Sequence, residues 1–156
     1  MTHLQSDNRG IVMVCASCGQ KNRLVFDHLG DTTRCGACQT AIGSPASPVD
    51  VGSAADFDAL VAGSRLPVLV DFWAAWCGPC RIVAPELEIV AKRNAGRWIV
   101  AKIDTEAVSD LSARLQVRSI PTLAVFSGGQ LASRTAGAMA ADQIEKFVNA
   151  AIGSPR

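Results

Sequence analysis

The amino-acid sequence predicts an α/β protein, a mixed sheet flanked by helices, with a small cysteine-rich module in front of it. Three observations carry that expectation. Beyond residue 50, nearly continuous apolar runs alternate with segments of helical period; Gly128-Gly129 separates two strand-like runs; and four of the six cysteines fall before residue 40, among few large apolar side chains. The 156 residues suffice for one ordinary domain of about 100 residues plus a much smaller unit.

The elements follow in order. Residues 1–10 read as a polar tail and 11–43 as the cysteine-rich module, too short to fold on a core of its own without a cross-link. Residues 44–50, with Pro45 and Pro48, read as a fairly extended linker. The main domain occupies 51–156. Its first helix is expected at 55–62, with Ser53 as N-cap. The run Val68 to Trp73 is apolar except for Asp71, as in a strand covered on both faces. A helix over 79–94 follows, with Val83, Leu87 and Val90 at helical spacing and Gly96 as a stop. A strand over 98–103 completes a βαβ unit and hence a parallel pair. A short helix over 108–115, a hairpin pairing 122–126 with 131–135, and an amphipathic helix over 140–152 close the chain.

Charge excludes some functions. The formal net charge is +1, and residues 1–50 hold four basic and four acidic side chains, so no basic surface points to nucleic acid or to an anionic membrane. The apolar stretch at 11–14 is too short for a signal-peptide core or a membrane span. The chain is therefore expected to be soluble and cytoplasmic; it is also expected to be a monomer. In a reducing compartment, paired cysteines serve as metal ligands or catalytic thiols more often than as structural disulfides.

The three Cys-x-x-Cys pairs divide unequally. Cys15 and Cys18, sixteen intervening residues, then Cys35 and Cys38 match the two-knuckle spacing of a four-cysteine zinc site. A closed shell of four thiolates leaves no position for a catalytic water, so one structural zinc ion is expected. Two disulfides or an iron–sulfur site would use the same cysteines. His28 lies between the knuckles but is surplus to a complete ligand set.

Cys77 and Cys80 stand apart, directly after the apolar strand and at the start of a helix. There the unsatisfied N–H groups of the helix favour a thiolate at Cys77, the attacking species in disulfide exchange. Cys80, one turn further in and more enclosed, is expected to act second. Gly78-Pro79 between them suits a turn that becomes helix. By itself such a pair fits half a metal site equally well; the strand-then-helix placement and the complete tetrad elsewhere favour redox chemistry. Asp71, the one charge in a buried run, is expected to resist ionisation, either alone or paired with Lys102.

The segment Val70 to Cys80, with Trp76-Cys77-Gly78-Pro79-Cys80 at its end, resembles the active-site segment of the thioredoxin family. Pro85, Lys102 within Ala101-Lys102-Ile103-Asp104, Ile120-Pro121-Thr122 and Gly137 extend the resemblance from about residue 49 to the end. With the four-cysteine module in front, and Asn22-Arg23 after its first knuckle, the chain resembles the zinc-binding thioredoxin 2 type. The resemblance implies a thioredoxin fold and protein disulfide reduction through a Cys77–Cys80 redox disulfide. It implies Asp71 as a buried general base modulated by Lys102, and a cis bond before Pro121. It also implies a docking surface of Trp76, Gly78, Pro79, Ile120, Pro121 and Gly137. The implied partners are disulfide-containing target proteins and a thioredoxin reductase, so that the chain itself binds no flavin or nicotinamide. A competing expectation is a redox-regulated protein whose module releases zinc on oxidation and exposes a chaperone-like or partner-binding surface.

Overall fold

The structure is a computed structural model and describes residues 4–153. Residues 1–3 and 154–156, the outer ends of the expected tail and main domain, lie outside the described residues. The described chain opens with three short strands, β1 (Leu4–Ser6), β2 (Gly10–Val14) and β3 (Lys21–Val25). β2 and β3 pair antiparallel, and a Cβ on Gly10 would run into the Leu24 carbonyl, so only glycine permits the strands to approach there. A 3₁₀ turn over Phe26–His28 follows, then a two-strand ribbon of β4 (Thr33–Arg34) and β5 (Ala41–Ile42). β6 (Val49–Asp50) lies in the expected linker.

The remainder alternates as expected. α1 (Ala54–Gly63) is capped by Ser53, whose hydroxyl accepts from the Asp56 N–H at 3.1 Å. β7 (Val68–Trp73) is buried up to its last residue and leads through a turn to α2 (Gly78–Arg93). β8 (Ile99–Asp104), α3 (Ser109–Arg114), the hairpin of β9 (Thr122–Ser127) and β10 (Gln130–Ala136), and α4 (Ala141–Ile152) complete the chain. Element ends differ from the expected ones by a residue or two, where helices and strands fray.

One eight-stranded sheet runs in the order β10-β9-β7-β8-β6-β1-β2-β3. β7, β8, β6 and β1 are mutually parallel neighbours, while β9, β10, β2 and β3 join antiparallel, which makes the sheet mixed. Here the structure corrects the sequence reading: residues 4–6 of the expected polar tail form a strand, and the sheet crosses the expected linker without a break. The Leu4 N–H donates to the Pro48 carbonyl at 3.1 Å, and Leu4 and Gln5 pair with Val49 and Asp50. A strand so short, with a polar face toward solvent, leaves no periodic signal; its partner supplies the reason to form.

Packing repeats this continuity. On one face of the sheet, Ile11, Leu24, Phe26, Leu29 and Ile42 from the first 43 residues share a buried cluster with Phe57, Leu60, Phe72 and Phe126. Phe26 seats against α1 at Gly63, where an added Cβ would come within 3.1 Å of the phenylalanine Cβ. On the other face, Leu69, Val100, Leu123 and Val125 pack beneath Val83, Leu87 and Val90 of α2 and Ile144 and Val148 of α4.

Candidate active site and metal cage

Cys77 is the N-cap of α2 because β7 ends at Trp73 and the Cys77 N–H closes a turn onto the Ala74 carbonyl at 3.2 Å. Its sulfur accepts from the Cys80 N–H at 3.2 Å, so one of the orphan donors of the helix start points at the reacting atom. Cys77 and Cys80 are joined as a disulfide, with Cα atoms 5.3 Å apart, within the ordinary range for a bridged pair. Both residues are 4% exposed, so burial does not separate them as the sequence reading expected. Their difference lies in helix position instead.

The loop before β9 meets this pair from the far side. The Ile120 carbonyl lies 3.7 Å from the Cys77 sulfur, and the Ile120-Pro121 bond is cis. The Gly137 N–H donates to the Pro121 carbonyl at 2.9 Å, and Gly137 has φ of 103°, which disfavours any side chain. Trp76 is 67% exposed beside the disulfide, and its indole N–H donates to Glu106 at 2.9 Å. Gly78 and Pro79 form the first turn of α2. Cys77, Cys80, Ile120, Pro121 and Gly137 thus converge, with Trp76 flanking them. Glu106 carries no local pattern that marks it in the sequence, and Arg81, uninformative there, donates from its guanidinium to the Ala75 carbonyl at 2.7 Å.

Asp71 sits on β7, six residues before Cys77, with no solvent exposure and, among the described residues, no hydrogen-bond partner for either carboxylate oxygen. Lys102, its register partner on β8, brings Nζ to 4.0 Å and places that ammonium 5.0 Å from the centre of the Trp73 ring. Burial raises the Asp71 carboxyl to about 7, and the opposing pull of Lys102 does not cancel it.

The four remaining cysteines converge in the segment of β2 to β5. Cys15 and Cys18 flank the turn after β2, Cys35 and Cys38 the turn between β4 and β5, and their four sulfurs lie within 4.8 Å of one another. The facing pairs, Cys15 to Cys38 at 3.7 Å and Cys18 to Cys35 at 3.6 Å, are too far apart for disulfides. They match the edge of about 3.8 Å that a tetrahedron of thiolates makes around a metal at zinc–sulfur distance. The residues therefore fit a metal ion. Asn22 braces the site: its carbonyl accepts from the Gly36 N–H at 3.0 Å, and its amide reaches the Cys35 sulfur at 3.5 Å. Backbone N–H groups of Cys38 and Ala37, with that amide, draw the Cys35 thiol down to about 6. His28 is exposed and bonded to Asp31 at 3.1 Å, apart from the cage.

Residues 48–150 match the model of the thioredoxin family. The chain belongs to the thioredoxin family. Thioredoxin C-3 of Corynebacterium nephridii is 40% identical over 139 residues, covering 89% of this chain and 94% of that protein. A span of that length reaches well upstream of residue 48. The bifunctional thioredoxin reductase/thioredoxin of Mycobacterium leprae is 43% identical over 108 residues, 69% of this chain and 23% of that much longer protein. Among solved structures, a mutant thioredoxin from Halobacterium salinarum superposes with a TM-score of 0.66 at 29% identity, covering 74% of this chain and 99% of that one. The family assignment and the Cys77–Cys80 disulfide make the protein a thiol–disulfide oxidoreductase, a protein disulfide reductase. Thioredoxins act with a thioredoxin reductase and with disulfide-bearing targets. Among the described residues, no helix is long and apolar enough to cross a membrane.

Proposed function

We propose that Cys77 is the attacking thiol and Cys80 the resolving thiol of this reductase, an order that rests on the Cys80 N–H aimed at the Cys77 sulfur. The Cys77 thiolate attacks one sulfur of a target disulfide, forming a mixed disulfide and releasing the other target sulfur as a thiolate. Cys80 then loses its proton and attacks the Cys77 sulfur; the mixed disulfide breaks, and the second target thiolate departs. Two electrons pass from the dithiol to the target, leaving the Cys77–Cys80 disulfide. Asp71 is the base for Cys80: a carboxyl that titrates near 7 takes and returns a proton at working pH, and Lys102 moderates its affinity.

Trp76, Gly78, Pro79, Ile120, Pro121 and Gly137 form the docking surface for the target backbone. A separate thioredoxin reductase restores the dithiol, as the bifunctional Mycobacterium leprae relative supports by carrying both names. Cys15, Cys18, Cys35 and Cys38 hold one zinc ion, which cross-links the module and takes no part in the exchange. The need for four reduced thiols there favours a cytoplasmic protein.

The test is a disulfide-reduction assay on insulin with the two serine variants. Cys77→Ser is expected to abolish turnover, and Cys80→Ser to accumulate a mixed disulfide visible on a non-reducing gel. Turnover that survives Cys77→Ser would sink the assignment.

A further inference from the structure

The two halves of the cysteine cage belong to different sheets. Cys15 and Cys18 sit in the turn that joins β2 to β3 of the eight-stranded sheet, whereas Cys35 and Cys38 sit in the turn of the separate β4–β5 ribbon. A metal ion needs all four sulfurs at the corners of one tetrahedron, so the placement of one turn against the other decides whether it is held. Asn22, on β3, spans that gap with one side chain. Its amide nitrogen donates to the Gln20 carbonyl at 3.0 Å in the first turn and reaches the Cys35 sulfur at 3.5 Å, and its oxygen accepts from the Gly36 N–H at 3.0 Å in the second.

These contacts use both hydrogens and the oxygen of the amide. They also fix its orientation, because a flipped amide would set its oxygen against the Gln20 carbonyl and its N–H against that of Gly36. Cys35 is the most enclosed of the four cysteines, 0% exposed against 3% for Cys15, while Cys18 and Cys38 meet solvent. Water can solvate a thiolate at the exposed positions. At Cys35 the charge must be met by protein donors, and the Ala37 N–H at 3.4 Å and the Asn22 amide are such donors.

We propose that Asn22 is the positioning residue of the cysteine cage: it holds the second turn against the first and places a hydrogen bond on the Cys35 sulfur, so that retention of the metal depends on a side chain that is not a ligand. The proposal rests on the reading of the four cysteines as a zinc site. Four thiolates around a divalent ion keep a net negative charge, and each donor that points at a sulfur lowers the repulsion among them. Aspartate in place of Asn22 has the same shape and keeps an oxygen for the Gly36 N–H, but it loses both donors and adds a like charge beside the sulfurs. Alanine loses the contacts without adding the charge. The carboxylate is therefore the worse replacement although it is the closer in shape.

The experiment loads the full-length protein with zinc and follows release of the ion to an excess of a chromophoric chelator. Asn22→Ala is expected to speed release about tenfold and Asn22→Asp about a hundredfold. A second readout separates a bond on sulfur from general loosening. With cobalt in place of zinc, the sulfur-to-cobalt charge-transfer band is expected at longer wavelength in both variants, because a thiolate without its donor gives up an electron more readily, while the ligand-field bands keep the intensity of a tetrahedral four-sulfur site. Should the aspartate variant fail to assemble the site, the alanine variant carries both readouts. Release from both variants within about twofold of the parent overturns the proposal. So does an aspartate variant that keeps the ion longer than the alanine one, which would leave the Gly36 bond as the whole of the effect, and so does an unmoved charge-transfer band. A parent that takes up no metal removes the zinc reading and the proposal together, whereas equal release from a parent that does bind zinc removes the proposal alone.

Discussion

Asp71 couples chemistry to stability through one buried carboxyl. Its value of about 7 in the fold stands above the ordinary 3.8, so between those limits the folded chain holds a proton that the unfolded chain has released. Stability therefore falls as pH rises through that window, and the whole cost is present above about pH 7. Asp71→Asn removes the titration. The variant is expected to exceed the parent in stability by about 2–4 kcal/mol at pH 8, with the difference shrinking toward pH 4. Urea unfolding of the oxidised proteins at both pH values measures it. The same variant is expected to slow resolution by Cys80, which sets stability against activity at this position.

At the scale of elements, caps and registers decide where side chains end up. Ser53 closes α1 with a bond to the Asp56 N–H, and α1 carries Phe57 edge-on to Phe126 at 5.3 Å. Ser53→Ala is expected to cost about 1 kcal/mol in a thermal or chemical melt, with disulfide reduction unchanged. A change in turnover at constant substrate affinity would show that α1 reaches the site. The long elements were legible because each carries its own signal: an apolar run at 68–73, helical spacing at 83, 87 and 90, and a Gly-Gly turn at 128–129. β1 and β6 were not. Residues 4–6 and 49–50 are too short for periodicity, and they are strands because they lie between neighbouring backbones, β2 and β6 for the first and β1 and β8 for the second.

For the whole molecule, the cysteine cage and the redox domain share a core. Cys15 and Cys35 are buried in the cluster that also holds Phe57, Phe72 and Phe126, so loosening the cage opens apolar surface of the larger unit. Removing the metal with a strong chelator is expected to lower the melting temperature of the whole chain in a single transition, measured by calorimetry. Two separated transitions would show that the module unfolds alone. Mild peroxide in the same measurement tests the switch reading: metal retained alongside full reductase activity would rule out release on oxidation.

Spacing grouped the first four cysteines as a tetrad, while the strand-then-helix context marked Cys77 and Cys80 as a working pair and the flanking residues determined its family. Those are local properties, written in short stretches of chain. Only the tertiary structure decided that Cys77 and Cys80 are equally buried, that Asp71 has Lys102 but, among the described residues, no hydrogen bond, and that the N-terminal segment belongs to the same sheet. The physical reason is common to all three. Burial, ion pairing and strand registry depend on which distant backbone lies alongside, and a single sequence carries no local sign of its partner.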